Sequence, residues 1–254
     1  MSKVVVCGAL GRMGMVIGGI VSESPDMDLV GGVDVKEGSF YGVPVAAAER
    51  MGAFLDDVRP DVIIDFTIAA AAVGNIRAAS ERGIALVVGT TGFSPDQQEE
   101  IRTAVEGHVP AVISSNFSVG VNLFWALIRE AARRVPPDYD IEVTEAHHRY
   151  KQDAPSGTAT TILDILDAER GPHTRVYGRE GIAPRGDEIG VHVVRGGDIV
   201  GDHTVMFAGN HEVLELSHRA YDRAVFARGA VRAAGWVVGK EPGIYSMNDV
   251  LGLQ

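Results

Sequence analysis

Val4-Val5-Val6-Cys7-Gly8-Ala9-Leu10-Gly11-Arg12-Met13-Gly14 joins an apolar β-branched run to a glycine-rich turn and then to a helical stretch. Glycine at such a turn lets the backbone approach a pyrophosphate, and the helix N-terminus beyond it presents unpaired N–H groups and a positive dipole end. The spacing is GxxGxxG, not the commoner GxGxxG, and taken alone it fits a turn that merely packs helix on strand. Asp34 favours the ligand-binding reading. It lies twenty residues beyond Gly14, at the end of the second apolar run, where an acid accepts hydrogen bonds from an adenosine ribose. The following residue, Val35, is neutral, so no cation stands directly beside the acid to meet a 2′-phosphate. Lys36 and Arg12 are the cations that could reach one, although Lys36 also reads as an ordinary solvated charge. NADH is the expected cofactor, with NADPH use left open.

Outward from this turn, short β-branched runs alternate with helical stretches, the pattern of parallel α/β winding. The strands are expected at Val4 to Cys7, Leu29 to Asp34, Val62 to Asp65, Leu86 to Val88 and Val112 to Ser114. Helices are expected at Met13 to Ser22, Ala69 to Arg82 and Pro95 to Glu106. After Asn116 the pattern changes. A helix from Val121 to Arg134 leads to a strand at Ile141 to Glu145, a helix from Gly157, and strands at Ile189 to Arg195, Thr204 to Phe207 and Val213 to Ser217. Gly196-Gly197 and Gly209-Asn210 read as the turns between consecutive strands. The expected fold is α/β: a Rossmann-like, parallel, doubly wound N-terminal domain plus an α+β C-terminal domain with a largely antiparallel or mixed sheet. Residues 1–118 form the dinucleotide-binding domain and residues 119–222 the substrate-binding and oligomerisation domain. A last helix, Asp222 to Val238, places residues 223–254 back on the first domain.

Composition narrows the function. With 46% hydrophobic and 22% charged residues in 254, and no apolar run of eighteen, the chain reads as an ordinary globular protein and not as a disordered or membrane-spanning one. Lys and Arg number 23 against 34 Asp and Glu, so the overall field repels polyanions and nucleic acid is not expected as a partner. A single cysteine, Cys7, excludes an intrachain disulfide. The N-terminus lacks the basic, hydrophobic and cleavage-site sequence of a secretion signal, so a cytoplasmic location is expected.

Two further loops end predicted parallel strands: Gly89-Thr90-Thr91-Gly92-Phe93 and Ser114-Ser115-Asn116-Phe117-Ser118. Their small and hydroxyl-bearing residues leave room for a nicotinamide ring, with Asn116 or backbone groups to hold its amide. The densest polar stretch is Glu145-Ala146-His147-His148-Arg149-Tyr150-Lys151-Gln152-Asp153-Ala154-Pro155-Ser156-Gly157-Thr158-Ala159. Ser156 is a natural N-cap there, leaving the amides of Gly157 and Thr158 for a carboxylate or phosphate. His147, His148, Arg149 and Lys151 concentrate positive charge and proton carriers in an otherwise acidic chain, which favours an anionic substrate. No metal is expected, because adjacent histidines normally point apart and no Cys or paired carboxylate completes a ligand set. His192, His203, His211 and His218 read as core or interface residues.

EAHHRYKQDAPSGTA, together with CGALGRMG, IDFT at 64–67, VGTTGF at 88–93, SSNFSVGVN at 114–122, VVRGGDIVGDHTVMF at 193–207 and FARGAVRAAGW at 226–236, resembles the dihydrodipicolinate reductase family. The motifs run in order through nearly the whole chain. The resemblance implies NAD(P)H-dependent reduction of a small cyclic dicarboxylate in the diaminopimelate route to lysine, by an enzyme that is usually a homotetramer. It implies that His147 and Lys151 carry the proton chemistry and that His148, Gly157 and Thr158 hold the substrate. Cofactor contacts are implied for Gly8, Ala9, Leu10, Gly11, Arg12, Met13, Asp34, Gly89, Thr90, Thr91, Ser114, Ser115, Asn116 and Phe117. Many members carry arginine where this chain has Val35, which leaves nucleotide preference open. Two other readings remain. A semialdehyde dehydrogenase needs a thiolate nucleophile, and Cys7 sits inside the first strand. A non-catalytic NAD-binding sensor or scaffold would bind NADH without oxidising it.

Overall fold

Val4 and Val6 point to one side of their strand, Val5 and Cys7 to the other, and all four are fully buried. A strand that is apolar on both faces needs helices on both, which is the situation in a parallel α/β sheet. Each such valine contributes about 1.5–3 kcal/mol relative to an exposed one. The computed structural model describes residues 1–253. The chain falls into two units, one comprising Met1–Val119 and the chain from Ala224 onward, the other Gly120–Arg223.

The first unit begins with β1 (Ser2–Cys7), α1 (Arg12–Ser22), β2 (Met27–Asp34), β3 (Gly38–Phe40), β4 (Val43–Ala47), α2 (Met51–Val58) and β5 (Val62–Asp65). It continues with α3 (Ala69–Ser80), β6 (Ala85–Val88), α4 (Pro95–Val105) and β7 (Pro110–Ile113). After α5 (Val119–Arg134), the second unit holds β8 (Asp140–His147), α6 (Gly157–Arg170), β9 (Thr174–Tyr177), β10 (Glu188–Arg195), β11 (Gly201–Ala208) and β12 (Val213–Ala220). The chain then returns to the first unit as α7 (Ala224–Val237), β13 (Gly243–Tyr245) and α8 (Met247–Leu251).

The first sheet has the order β13-β7-β6-β5-β1-β2-β4-β3, and every pairing is parallel except β3 with β4. One face packs Ile17, Ala227 and Ala230 of α1 and α7, the other Leu55, Ile76 and Ile101 of α2, α3 and α4. From β1 the chain steps to β2 on one side and later to β5 on the other, so the carboxyl end of β1 is the topological switch point. Open sheets of this kind bind ligands there. The loops after β1, β2, β5, β6 and β7 all leave from this edge.

The second sheet, β12-β11-β8-β10-β9, is mixed, with β8 antiparallel to β11 and parallel to β10. Gly209-Asn210 closes the β11–β12 hairpin, with Gly209 N donating to Glu212 O at 2.9 Å. Gly196-Gly197 turns the chain between β10 and β11, as read above, without pairing the two strands. β8 inserts between β10 and β11, because α6 supplies the crossover that parallel β8 and β10 need. No helix among the described residues is long and apolar enough to cross a membrane.

Candidate active site

The turn after β1 is folded by its own backbone. Gly8 and Ala9 N–H both donate to Val33 O, at 2.8 and 3.2 Å, and Gly11 N–H donates to Gly8 O at 3.0 Å. Gly8 has φ +77°, in the left-handed region that favours glycine. A side chain at Gly14 would overlap the Gly8 carbonyl, so only glycine lets α1 start this close to the turn. Leu10 N–H donates to Asp34 Oδ2 at 2.8 Å, and Val35 N–H to Oδ1 at 2.7 Å. Asp34 therefore fixes the turn, and each of its oxygens keeps a further lone pair for a ribose hydroxyl. With the turn amides engaged internally, the group left to receive a pyrophosphate is the start of α1, at Arg12 and Met13. Its N-cap, Gly11, has no side-chain cap.

Gly89, Thr90 and Thr91 follow β6, and Ser114 to Phe117 follow β7, at the same sheet edge. A side chain at Gly89 would overlap the Phe66 ring. The Thr90 hydroxyl points inward to Asp65 Oδ1 at 2.8 Å. Asp65, fully buried, also accepts from Thr67 N–H and Oγ1 and from Asn75 Nδ2. Thr90 thus anchors its loop and leaves Thr91, which is exposed, and the loop backbone to face solvent. Ser114 Oγ accepts from Asn116 N–H, and Asn116 Oδ1 accepts from Ser118 N–H, so side chains shape this loop. Ser115 is exposed, whereas the Phe117 ring is buried against Phe66 with centroids 5.7 Å apart.

The second unit gathers charge. Glu145, 1% exposed, shares two oxygens among four donors. His147 Nδ1 lies 2.5 Å from Oε2, Ser156 N–H donates to Oε1 at 3.0 Å, and Arg195 Nη1 and Nη2 donate to Oε2 and Oε1 at 2.9 Å each. Burial pushes the Glu145 carboxyl up, but the hydrogen bonds from His147 and Arg195 outweigh it and hold it at about 2. Ser156 caps α6 by accepting from Ala159 N–H at 3.2 Å, and its hydroxyl lies 3.0 Å from His203 Nε2. His203, 4% exposed, stands edge-on to His147 with ring centroids 5.0 Å apart. Burial, then the neighbouring His147, pushes its pKa down to about 3, so it stays neutral.

The structure thus brings His147 and the Ser156–Gly157 start of α6 onto one carboxylate. Thr158 follows in the first turn of that helix. Lys151 Nζ pairs with Asp153 Oδ2 at 2.9 Å, and Asp153 O in turn accepts from Arg195. His148 turns the other way, its Nε2 3.5 Å from Arg223 Nη2. Glu145, His147 and His203 each offer a ligand atom within 4.8 Å of the others, yet the carboxylate is already saturated by donors. Arg195, and His203 as a neighbour of His147, were not assigned to a site from the sequence. The α6 crossover was the available signal, since a parallel β8–β10 pair sets Arg195 directly beside His147.

A doubly wound parallel sheet with a glycine turn at its switch point, in a chain that also carries a buried carboxylate–imidazole pair, defines an oxidoreductase of the dinucleotide-fold class. The chain belongs to the dihydrodipicolinate reductase family: the family's N-terminus model matches residues 2–117 and its C-terminus model residues 120–251. The 4-hydroxy-tetrahydrodipicolinate reductase of Methanoculleus marisnigri is 69% identical over 253 residues, covering 100% of both chains. That of Methanoregula boonei is 64% identical over 254 residues, covering 100% of this chain and 99% of its own. A solved dihydrodipicolinate reductase from a Paenisporosarcina species, with dipicolinate bound, matches with a TM-score of 0.82 at 25% identity over 97% of each chain.

Proposed function

We propose that this chain reduces 4-hydroxy-tetrahydrodipicolinate with a nicotinamide dinucleotide, NADH in preference to NADPH, on the diaminopimelate route to lysine. The observation that carries the reading is the Glu145–His147 pair on the same short segment as Lys151 and the Ser156–Gly157 helix start, in a chain of this family. The start of α1 receives the pyrophosphate, Asp34 the adenosine ribose, and the loops at 89–91 and 114–117 the nicotinamide end. Loss of the 4-hydroxyl as water leaves a conjugated ring, to which a reduced nicotinamide, when bound, would supply a hydride. Negative charge then builds on that ring, and a proton must reach it. His147 and Lys151 are the groups that deliver the proton and stabilise the charge. His148, Gly157 and Thr158 hold the substrate's carboxylates, as a first helical turn with neighbouring cations does.

The neutral, exposed Val35 supports NADH, since it offers nothing to a 2′-phosphate. Family resemblance supports a homotetramer in the cytoplasm. Light scattering on the purified protein tests the assembly. For the reaction itself, dihydrodipicolinate synthase generates the unstable substrate in place while nicotinamide absorbance is followed with each reduced nucleotide. Oxidation of NADH, faster than of NADPH at limiting concentration, is expected. Oxidation of neither sinks the proposal.

A further inference from the structure

We propose that Glu145, clamped by Arg195, is the positioning residue that fixes His147 with Nδ1–H toward the carboxylate and Nε2 as its working atom, and that sets the start of α6 on the same carboxylate. The inference rests on the reading that His147 handles the reaction's proton, and it begins with donor and acceptor capacity. An ionised carboxylate only accepts, so each of its neighbours must donate. The Arg195 guanidinium and Ser156 N–H do so by their chemistry, at 2.9 and 3.0 Å. His147 Nδ1, 2.5 Å from Oε2, must then carry a hydrogen. In the neutral ring this leaves Nε2 as the basic atom. Nε2 abuts Gly201, where a Cβ would come within 3.0 Å of it, so the smallest residue stands beside that atom.

A buried charge pair is a poor device for stability alone, because removing two charges from water offsets most of their attraction. Held by both guanidinium nitrogens, however, the carboxylate has one orientation, and so has the imidazole that it binds. β8–β10 pairing puts Arg195 directly opposite His147, and β8–β11 pairing puts His203 opposite Glu145. The charged or titratable groups around His147 are therefore Glu145 on its own strand, Arg195 from β10, His203 from β11, and Lys151 with Asp153 from the following loop. His203 is the one held neutral by burial, so it offers Glu145 no competing cation. Glu145 Oε1 also fixes Ser156 N–H, which ties the anion-binding helix start to the proton carrier.

The test reads the tautomer and the turnover together. In the unaltered protein, 15N resonances of His147, assigned by difference with His147→Asn, should show Nδ1 protonated and Nε2 unprotonated at the alkaline end of a titration. The reverse tautomer overturns the proposal without Glu145→Gln having to fold. In Glu145→Gln, kcat should fall about 100-fold, within the range for a general acid–base group, while NADH affinity is unchanged. In the same variant Nδ1 of His147 should no longer be held protonated alone, since a neutral amide both donates and accepts. A Glu145→Gln enzyme with the unaltered kcat and an unaltered His147 tautomer overturns the positioning role and leaves the reductase reading intact. If the unaltered protein oxidises no nicotinamide with the cyclic substrate, the reductase reading fails, and the tautomer measurement still decides how His147 is held.

Discussion

Two helix starts in this molecule are suited to anions, and they are made by opposite means. The start of α1 in the first unit is defined by what is missing. Gly8 and Gly14 lack side chains where any would collide, and Gly11 caps the helix with no side-chain hydrogen bond. The start of α6 in the second unit is crowded with functional groups: Ser156 caps it, Glu145 holds its amide, and Arg195, His147 and His203 surround that carboxylate. Backbone amides bind a pyrophosphate without changing state, so glycine and shape suffice. A site that moves a proton needs titratable groups, and those must be buried and paired to be held in place.

That division breaks first at the proton carriers. His147→Ala and Lys151→Ala should each lower kcat by about 10²- to 10⁴-fold while the NADH dissociation constant, read by fluorescence titration, stays where it was. Undiminished turnover in either variant removes that residue from the chemistry. A matching loss of NADH affinity would mean that binding and proton transfer do not divide between the units as described.

Acid should expose the same contrast. Glu145 sits at about 2 in the folded chain, below its ordinary carboxylate value, so it contributes stability above that ordinary range and loses it as pH falls toward 2. His203 is pushed to about 3, so below its ordinary imidazole range the unfolded chain binds a proton that the folded chain refuses. His218, lowered chiefly by burial, adds to this in the same direction. All three lie in the second unit, and the shifts of Glu145 and His203 each act on the order of a few kcal/mol. The chain has two tryptophans, Trp125 in the second unit and Trp236 in the first. With Trp236→Phe, the Trp125 fluorescence should report a denaturant midpoint that falls as pH drops below about 6.5. With Trp125→Phe, the Trp236 signal should change only at lower pH, and coincident transitions would show that the acid response is not local to the second unit.

A steric change in the first unit should act the other way. Gly14→Ala forces a methyl group against the Gly8 carbonyl and should cost about 1–3 kcal/mol through backbone shift, with weaker NADH binding. In the single-tryptophan backgrounds, the thermal midpoint seen by Trp236 should fall and that seen by Trp125 should hold. Unchanged NADH affinity would show that α1 need not start so close to the turn.

Much of the first unit was legible because its determinants are local: β-branched runs, glycines and Asp34 are read in a window of thirty residues. What escaped was short or marginal. β3 and β4 are brief strands joined at Tyr41-Gly42, both with positive φ, where Gly42 was a hairpin signal left unread. β9 and β13 lie at sheet edges, where little burial imposes a pattern. In the second unit the segment from Glu145 to Ala159 declared its chemistry by composition, but its clamp did not. Arg195 lies fifty residues from Glu145 and reaches it only through the parallel β8–β10 pairing. The turn at Gly196-Gly197 joins β10 to β11 in sequence, so the order of the runs does not disclose that β8 lies between them. His203 was rightly read as buried, but burial did not disclose that it faces His147.

The smallest expected effect concerns nucleotide choice, and it follows from how Asp34 is used. Both of its oxygens are turned to backbone amides, of Leu10 and Val35, so the carboxylate belongs to the turn and cannot swing aside for a phosphate. Val35 is 81% exposed, and an arginine introduced there would be a solvated cation. An exposed charge pair is worth at most about 1 kcal/mol, which corresponds to about fivefold in affinity. Val35→Arg should therefore raise the NADPH-to-NADH affinity ratio by no more than that and leave kcat with NADH unaltered. Higher salt should reduce the gain, because the contact is screened. If Val35→Arg leaves the ratio unmoved while Lys36→Ala lowers it, the 2′-phosphate meets Lys36. A large change in kcat with Val35→Arg would instead mean that the nucleotide end of the site communicates with the proton carriers, against the separation drawn between the two helix starts.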